Sequence, residues 1–503
     1  MQETSTQSRM RKLSAHVFLE GQYRPSAGAR FVVVDPATEE AVGAYAETTP
    51  QELETAIAAA ARAQKHWWSL SALERAQQLH QVAQALEDLA PMVGECLTRE
   101  MGKPYRESVW EGGASASAFR NYAELARHEA GRVAGPAIAG QLHMVLKEPL
   151  GTVVSIVPFN YPVLLFGWQA AAALAAGNAI IVKPPEQTPL TLLLVMQAFA
   201  HLPAGLVQCL TGGAEVGKQL VAHPQTHAVA FTGGVPAAQS VAQSAAKLFK
   251  PTLIEASGND PFIVMPSAPV ETVAKGAAFA AFLNCGQVCT SAERFYVHEA
   301  IYDEFLLAFV REAKALRVGS GLSKVDMGPL ATQRDRERVE RLLARAVEQG
   351  AVVRCGNRRP AHLDKGWFLE PTVLEVTHSM DIMHAECFGP VAPVCKVKDL
   401  DEAIAWANDS DMGLGANIYT QNLDEAMRAV EQIQSGIVWV NTPLNDNDCV
   451  PFGGRKLTGS GRELGMEGLE QFRRSKMVMM APRAEADPEW FPYPDADAYG
   501  ATD

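Results

Sequence analysis

Between Ala179 and Gly258 short apolar runs alternate with longer amphipathic stretches, and this alternation constrains the architecture more than any other feature of the chain. "AIIVKP" (179–184), "LVQCLTG" (206–212), "THAVAFTGG" (226–234) and "PTLIEASG" (251–258) are too short for helices and read as buried strands. Between them, "TPLTLLLVMQAFAHL", "AEVGKQLVAHP" and "VPAAQSVAQSAAKL" carry helical spacing. Strand–helix–strand order at this pitch demands crossover connections, hence an α/β fold with a parallel sheet covered by helices. A second series follows Gly258: "PFIVMP", a helix through "VAKGAAFAAFL", "RFYVHE", "YDEFLLAFVREAKAL", "DEAIAWANDSD" and "SGIVWVN". Upstream, "ELETAIAAAARAQKHWWSL" reads as a covering helix. A chain of 503 residues is too long for one core, so two or three domains are expected.

Charge narrows the partners. Lys+Arg 44 against Asp+Glu 57 leaves a formal net charge of -13, which speaks against nucleic acid or an anionic membrane surface, since both require a basic face. No uncharged apolar run reaches the ~18 residues of a bilayer span. The start, "MQETSTQSRMRKLSAHVFLEG", lacks the apolar stretch of a signal peptide. Eight scattered cysteines suit reduced thiols and a cytoplasmic enzyme better than a disulfide framework. The acidic, Pro-rich tail from Ala484, with several aromatics, could not fold alone.

The segment "NCGQVCTSAERF" (284–295) holds two of those cysteines four residues apart. Zinc requires about four ligands, and no C-x2-C pair or His/Cys cluster accompanies this one, so no metal is expected here. A bridge over such a short span requires unusual backbone geometry. Two readings stay open from the residues alone: small buried hydrophobes, or a reactive thiol at Cys289. A helix-to-strand junction with free backbone N–H groups could lower a thiol pKa and bind an oxyanion.

The same segment resembles the active-site motif N-x-G-Q-x-C-x-x-x-x-R of the NAD(P)-dependent aldehyde dehydrogenase superfamily. "PFNYPVLLFGWQAAAALAAGNAIIVKPPEQTPL" (158–190), "AVAFTGG", "LIEASGNDPFIV", "ECFGPVAPV" (386–394) and "PFGGRKLTGSGRELG" (451–465) are similar to five further signatures in collinear order. The resemblance covers about residues 18–482. It implies a Rossmann-type parallel-sheet cofactor domain (1–126 and 148–257), a second α/β catalytic domain (258–457) and a small β oligomerisation flap (127–147 and 470–490), followed by the acidic tail 491–503. It further implies a homodimer or homotetramer.

By the same resemblance Cys289 is the nucleophile, Asn160 the oxyanion donor and Glu255 the base that hydrolyses a thioester to a free acid. CoA-acylating relatives do not use such a glutamate for hydrolysis. Without the resemblance, Asn160 reads as a turn asparagine and Glu255 as a salt-bridged strand end. Lys183 and Glu186 would hold the adenosine ribose, and a carboxylate there favours NAD over NADP, which stays possible. Gly233 and Gly234 would let the backbone approach the pyrophosphate. Glu386 and Phe388 would hold the nicotinamide side, with Pro158, Phe159 and Ala256 nearby. Three positions depart from the family pattern: Ala238 and Ser257 stand where glycine is usual, and Gln169 where lysine is common.

The substrate residues implied are Tyr161, Trp168, Val288, Thr290 and Phe452. Trp168 stands where succinate-semialdehyde-type members carry arginine, which argues against a carboxylate-bearing substrate. Asp446 or Asp448 could attract a positive group, although "NDND" also reads as a solvated loop. A small neutral or amino-bearing aldehyde is therefore expected. The alternatives are a CoA-dependent semialdehyde dehydrogenase and a catalytically silent paralogue.

Overall fold

The computed structural model describes residues 4–486 together with Trp490 and Phe491. Most of the acidic tail expected at 491–503 therefore lies outside the described residues.

The first sheet runs in the order Gln22–Pro25, His16–Leu19, Val207–Cys209, Ala179–Lys183, Thr152–Ile156, Ala228–Thr232, Thr252–Glu255, Gly459–Ser460. Its five central strands are parallel, as the strand–helix alternation requires. Each edge is closed by an antiparallel strand from elsewhere in the chain: His16–Leu19 beside Val207–Cys209, and Gly459–Ser460 beside Thr252–Glu255. Strand order reverses between Thr152–Ile156 and Ala228–Thr232, which opens a crevice at their carboxyl ends. Pro158–Asn160, Lys183, Gly233 and Glu255 all stand at those ends.

Local chemistry accounts for the covering helices. Pro50–Ser69 begins with a capping box between Thr49 and Glu52, and Ala72–Met101 with one between Ser71 and Glu74. The latter stops at Gly102, whose left-handed φ of 94° and close approach to Pro36 and Pro329 suit only glycine. The expected helix over 188–202 forms, but as Pro189–Val195 tightening into a 3-10 turn over Met196–Phe199.

The second sheet is ordered Val352–Cys355, Thr372–Glu375, Val391–Val397, Ala292–His298, Asp260–Val264, Asn417–Tyr419, Trp439–Val440 and is parallel except at its first edge. Each sheet anchors its own apolar core. Phe452, Leu464, Leu469 and Phe472 nevertheless pack into the first core, so the chain returns there after building the second sheet. A separate antiparallel ribbon pairs Gly131–Ala134 with Leu142–Pro149 and the latter with Arg473–Met480.

Candidate active site

Cys289 lies in the turn between the short helix Leu283–Gly286 and the strand Ala292–His298. Three consecutive residues bend the chain into that turn with positive φ: Asn284 (49°), Cys285 (59°) and Gly286 (71°). Asparagine tolerates this region and glycine is indifferent to it. A Cβ on Gly286 would stand 2.1 Å from the Gly389 carbonyl oxygen, which explains the glycine independently of φ. Gln287 staples the bend: its amide donates to the Asn284 carbonyl at 3.0 Å, and its Oε1 accepts from the Ala331 N–H at 2.9 Å. Polar residue types in this stretch thus fix backbone shape and deliver the thiol to a cavity.

Around Cys289 the groups acting on its titration are Glu255, Asp260 and Asp446, and burial together with these acids pushes the thiol well above its usual value. Cys285 faces other groups, Glu107 and Cys387, and burial raises its thiol too. Glu255 is 3% exposed, and neither carboxyl oxygen has a hydrogen-bond partner. Desolvation raises its pKa, and the adjacent thiol only partly offsets this. A carboxylate whose proton affinity is raised by desolvation, standing beside a thiol, is what a proton acceptor requires.

A second acid, Glu463, stands behind Glu255, and burial followed by repulsion from Glu255 pushes it well above the carboxylate range. Gln169 holds it: the Gln169 amide donates to Glu463 Oε1 at 2.9 Å and to the Thr232 hydroxyl at 3.3 Å, while accepting from Ser155 at 2.6 Å. Gln169 therefore has a structural consequence that its sequence position did not reveal. Glu463 escaped the sequence reading because it arrives through the edge strand Gly459–Ser460, far along the chain.

Asn160 is 2% exposed, with Oδ1 buried and unpartnered. Its carbonyl is clamped by the Lys103 ammonium and by Asn284 Nδ2 at 3.3 Å. Lys103 also pairs with Glu111, and Lys103 Nζ sits 3.7 Å from the Tyr161 ring centroid. Glu111 in turn accepts the N–H groups of Val163 at 3.0 Å and Leu164 at 3.1 Å, at the start of the helix Pro162–Ala175. Glu107, one helical turn before Glu111, accepts the Asn284 N–H at 3.1 Å. One helix, Tyr105–His128, thus braces both the Asn160 turn and the Cys289 loop. Nothing in the local pattern of "GKPYRESVWEG" announced this.

At the crevice, the Lys183 ammonium donates to the carbonyls of Pro184 (2.8 Å) and Gly212 (3.1 Å), and burial lowers its pKa to about 8. Glu186 is exposed and accepts from Tyr45 at 3.3 Å. The helix Val235–Ala246 starts at Gly234 with no side-chain cap, and a Cβ on Gly234 would meet nothing within 4 Å. Open space before an uncapped helix N-terminus fits a pyrophosphate, and Ala238 is buried in the first turn without filling it. Glu386 Oε1 accepts the Gly258 N–H at 3.1 Å. Phe388 has φ 44° and meets Phe159 edge-on at 6.0 Å. Two residues missed from the sequence hold that loop: Arg338 donates to the Cys387 carbonyl at 2.7 Å, and Glu293 accepts the N–H groups of Cys387 (2.8 Å) and Phe388 (2.6 Å). The Ala256 N–H donates to the Thr458 carbonyl at 2.6 Å.

A cavity of about 1200 Å³ leads to the thiol, lined among others by Trp110, Tyr161, Trp168, Thr290, Asp446 and Phe452. Val288 lies in its wall as well. Trp168 and Phe452 pack at 5.1 Å, and Trp110 meets Tyr161 edge-on at 6.5 Å. The two loop aspartates separate. Asp446 faces the cavity, and desolvation there followed by repulsion from Asp448 raises its carboxyl pKa. Asp448 instead accepts from Ser117 and, through its carbonyl, from Asn121 at 2.7 Å.

The site thus brings a thiol, a desolvated carboxyl and a buried amide to the carboxyl ends of strands whose order reverses in the sheet. Residues 23–478 match the sequence model of the aldehyde dehydrogenase family. A chloroplastic betaine aldehyde dehydrogenase from Amaranthus hypochondriacus is 34% identical over 496 residues, covering 96% of this chain and 99% of that protein. A peroxisomal aminoaldehyde dehydrogenase from Malus domestica is 35% identical over 477 residues, covering 92% and 95%. The solved structure of a betaine aldehyde dehydrogenase from Staphylococcus aureus in complex with NAD+ superposes with a TM-score of 0.93 at 30% identity, covering 97% of this chain and 99% of that one. The chain belongs to the aldehyde dehydrogenase family and is an oxidoreductase of that class.

Proposed function

We propose that the protein oxidises a small aldehyde to the free carboxylic acid with NAD, using Cys289 as nucleophile, Glu255 as base and Asn160 as oxyanion donor. The observation that carries this reading is the partnerless carboxyl of Glu255 beside the Cys289 thiol at the foot of the cavity. Glu255 takes the thiol proton as sulfur bonds to the carbonyl carbon. The resulting oxyanion is met by the Asn160 side-chain amide and the Cys289 backbone N–H, and losing one such donor costs about 2.7–4 kcal/mol. A bound nicotinamide supplies the hydride acceptor that converts this adduct to a thioester. Once Glu255 has released the thiol proton to solvent, its carboxylate deprotonates a water that attacks the thioester carbon, and the carbon–sulfur bond breaks to release the acid and return Cys289 as thiolate.

Lys183 and Glu186 would hold the adenosine ribose, the Gly233–Gly234 turn the pyrophosphate, and Glu386, Phe388, Pro158, Phe159 and Ala256 the nicotinamide side. The exposed Glu186 carboxylate favours NAD, because it would repel a 2′-phosphate.

The substrate is an amino-bearing or neutral aldehyde. Aromatic walls at Trp110, Tyr161, Trp168 and Phe452, with Asp446 and Glu107 acting on Tyr161, suit a cationic tail. Arg106, Lys275, Arg317 and Lys324 also line the mouth, but Arg317 is engaged by Asp326 at 2.8 Å. The betaine and aminoaldehyde activities of the relatives agree with this choice. An aldehyde panel of matched chain length, run with NAD and with Cys289→Ala as control, tests it. The expected order of kcat/KM is amino-bearing, then neutral, then carboxylate-bearing. Equal activity in Cys289→Ala would overturn the mechanism, and a strong preference for succinate semialdehyde would overturn the substrate.

The domain division proposed at 126/148 and 257/258 is supported by the separate apolar cores of the two sheets, with Val288, Ala331, Leu414 and Phe452 reaching back into the first. The register places exposed Val133, Leu142, Leu146 and Met480 on one side of the ribbon, an apolar face that supports a homodimer or homotetramer. Among the described residues no helix is long and apolar enough to cross a membrane. A cytoplasmic location is proposed from the free thiols.

A further inference from the structure

We propose that His378, His384 and Asp409 form a surface site for one divalent transition-metal cation of the zinc class. No step at Cys289 uses these residues. His378 and His384 flank the short turn Asp381–Met383, and Asp409 caps the carboxyl end of helix Leu400–Asn408. Their donor atoms all lie within 4.8 Å of one another, a span that small side-chain rotations close onto one ion at about 2.0–2.2 Å per ligand.

The ligands are already oriented. The His378 ring stacks on Trp406 at 4.8 Å with an interplanar angle of 6°. Its Nδ1 is 3.1 Å from the Tyr296 hydroxyl and its Nε2 is 3.0 Å from Asp409 Oδ2. Tyr296 receives the Arg294 guanidinium at 3.3 Å and reaches the Trp406 carbonyl at 3.3 Å. With the tyrosine proton on that carbonyl, His378 donates Nδ1–H to the hydroxyl, and its Nε2 lone pair faces a carboxylate. Two such lone-pair groups 3.0 Å apart repel unless a cation joins them, and two nitrogens with one carboxylate oxygen are donors that zinc accepts. The alternative tautomer places a proton between them instead, so proton and metal compete for one position.

His384 is 2.9 Å from the His378 carbonyl through its own Nε2. Donation of that N–H to a backbone carbonyl leaves Nδ1 with its lone pair, the arrangement usual for an imidazole ligand. His384 and Asp409 are exposed, so an ion reaches the site without crossing the core, and water completes the coordination. The helix end is negative by its dipole, although Arg294 and Lys456 already engage its carbonyls, at 2.9 Å on Trp406 and 2.8 Å on Asn408. That leaves Asp409 and the two imidazoles as the outward donors.

The test uses full-length protein carrying Cys289→Ser, stripped with chelator, so that the reactive thiol does not compete for zinc. Titration with zinc chloride by calorimetry is expected to give one equivalent per chain. In the same background, His384→Ala and Asp409→Asn should each weaken it by about tenfold or more. The same two substitutions made in the Cys289-containing chain should leave aldehyde oxidation unchanged, which shows that they fold. Substitution by cobalt should give weak visible d–d bands without thiolate charge transfer. No zinc bound, equal affinity in the variants, or a cobalt–thiolate band would each overturn the assignment.

Discussion

Glu111 and Glu255 are both buried carboxylic acids of the first core, and they differ in their partners: Glu111 is held by a cation and backbone N–H groups, and Glu255 has only the adjacent Cys289 thiol. Burial raises the Glu111 pKa, but the Lys103 ammonium and two backbone N–H groups offset part of that desolvation, and the carboxyl acts as a brace for the Asn160 turn. Glu255 has the adjacent thiol as its one lowering influence, and its pKa rises. The contrast separates structure from chemistry in side chains of one type: a satisfied buried carboxylate holds a fold, and an unsatisfied one holds or accepts a proton.

Breaking each member of the pair should damage a different property. Glu255→Gln is expected to lower turnover by about 10²–10⁴-fold, the range for a positioned acid–base group, with folding intact; steady-state rates and unfolding curves measured together decide this. Loss of stability instead of turnover would make Glu255 a structural residue. Glu111→Ala is expected to reduce stability by about 3–5 kcal/mol in denaturant unfolding, because it strands the Lys103 ammonium in the core. A smaller loss would mean that water reaches Lys103 in the variant.

The pH dependence sharpens the same contrast. Burial raises the folded pKa of Glu255 above its unfolded value of about 4.3. Between those two values the folded chain therefore holds a proton that the unfolded chain has released, and stability from this group falls as pH rises through that window. The Tm advantage of Glu255→Gln over the wild type should grow across the window and level off above it. A difference that is flat with pH would place a charged carboxylate in the fold. The smallest expected effect is at the cavity mouth: Asp446→Asn should lower kcat/KM for an amino-bearing aldehyde by about tenfold or less, and leave a neutral aldehyde of equal length unchanged.

Much of this site could be read from residue order. The apolar runs ending at Lys183, Thr232 and Glu255 form parallel strands of one sheet, with Thr152–Ile156 between the first and second, and those residues stand at the crevice, because length and composition decide buried strands locally. The N-x-G-Q approach to Cys289 was also legible, and its physical basis is a left-handed bend that asparagine and glycine permit and glutamine staples. Gln169 was legible only as a departure from the family pattern, without its consequence.

What the sequence by itself determined is the set of local elements and the chemistry available at their ends: parallel strands, uncapped turns, a thiol, a carboxyl and an amide at named positions. Only the tertiary structure decided which distant groups meet them. Glu463 comes behind Glu255 because Gly459–Ser460 pairs antiparallel with the sheet edge. Lys103 and Glu111 brace Asn160 because one helix packs across both loops. Asp446 rather than Asp448 faces the cavity because Ser117 and Asn121 hold the latter. Hydrophobic periodicity reports which face of an element is buried, but not which remote segment it is buried against. The pairing of polar groups inside that contact is settled by desolvation, which acts only once the chain is packed.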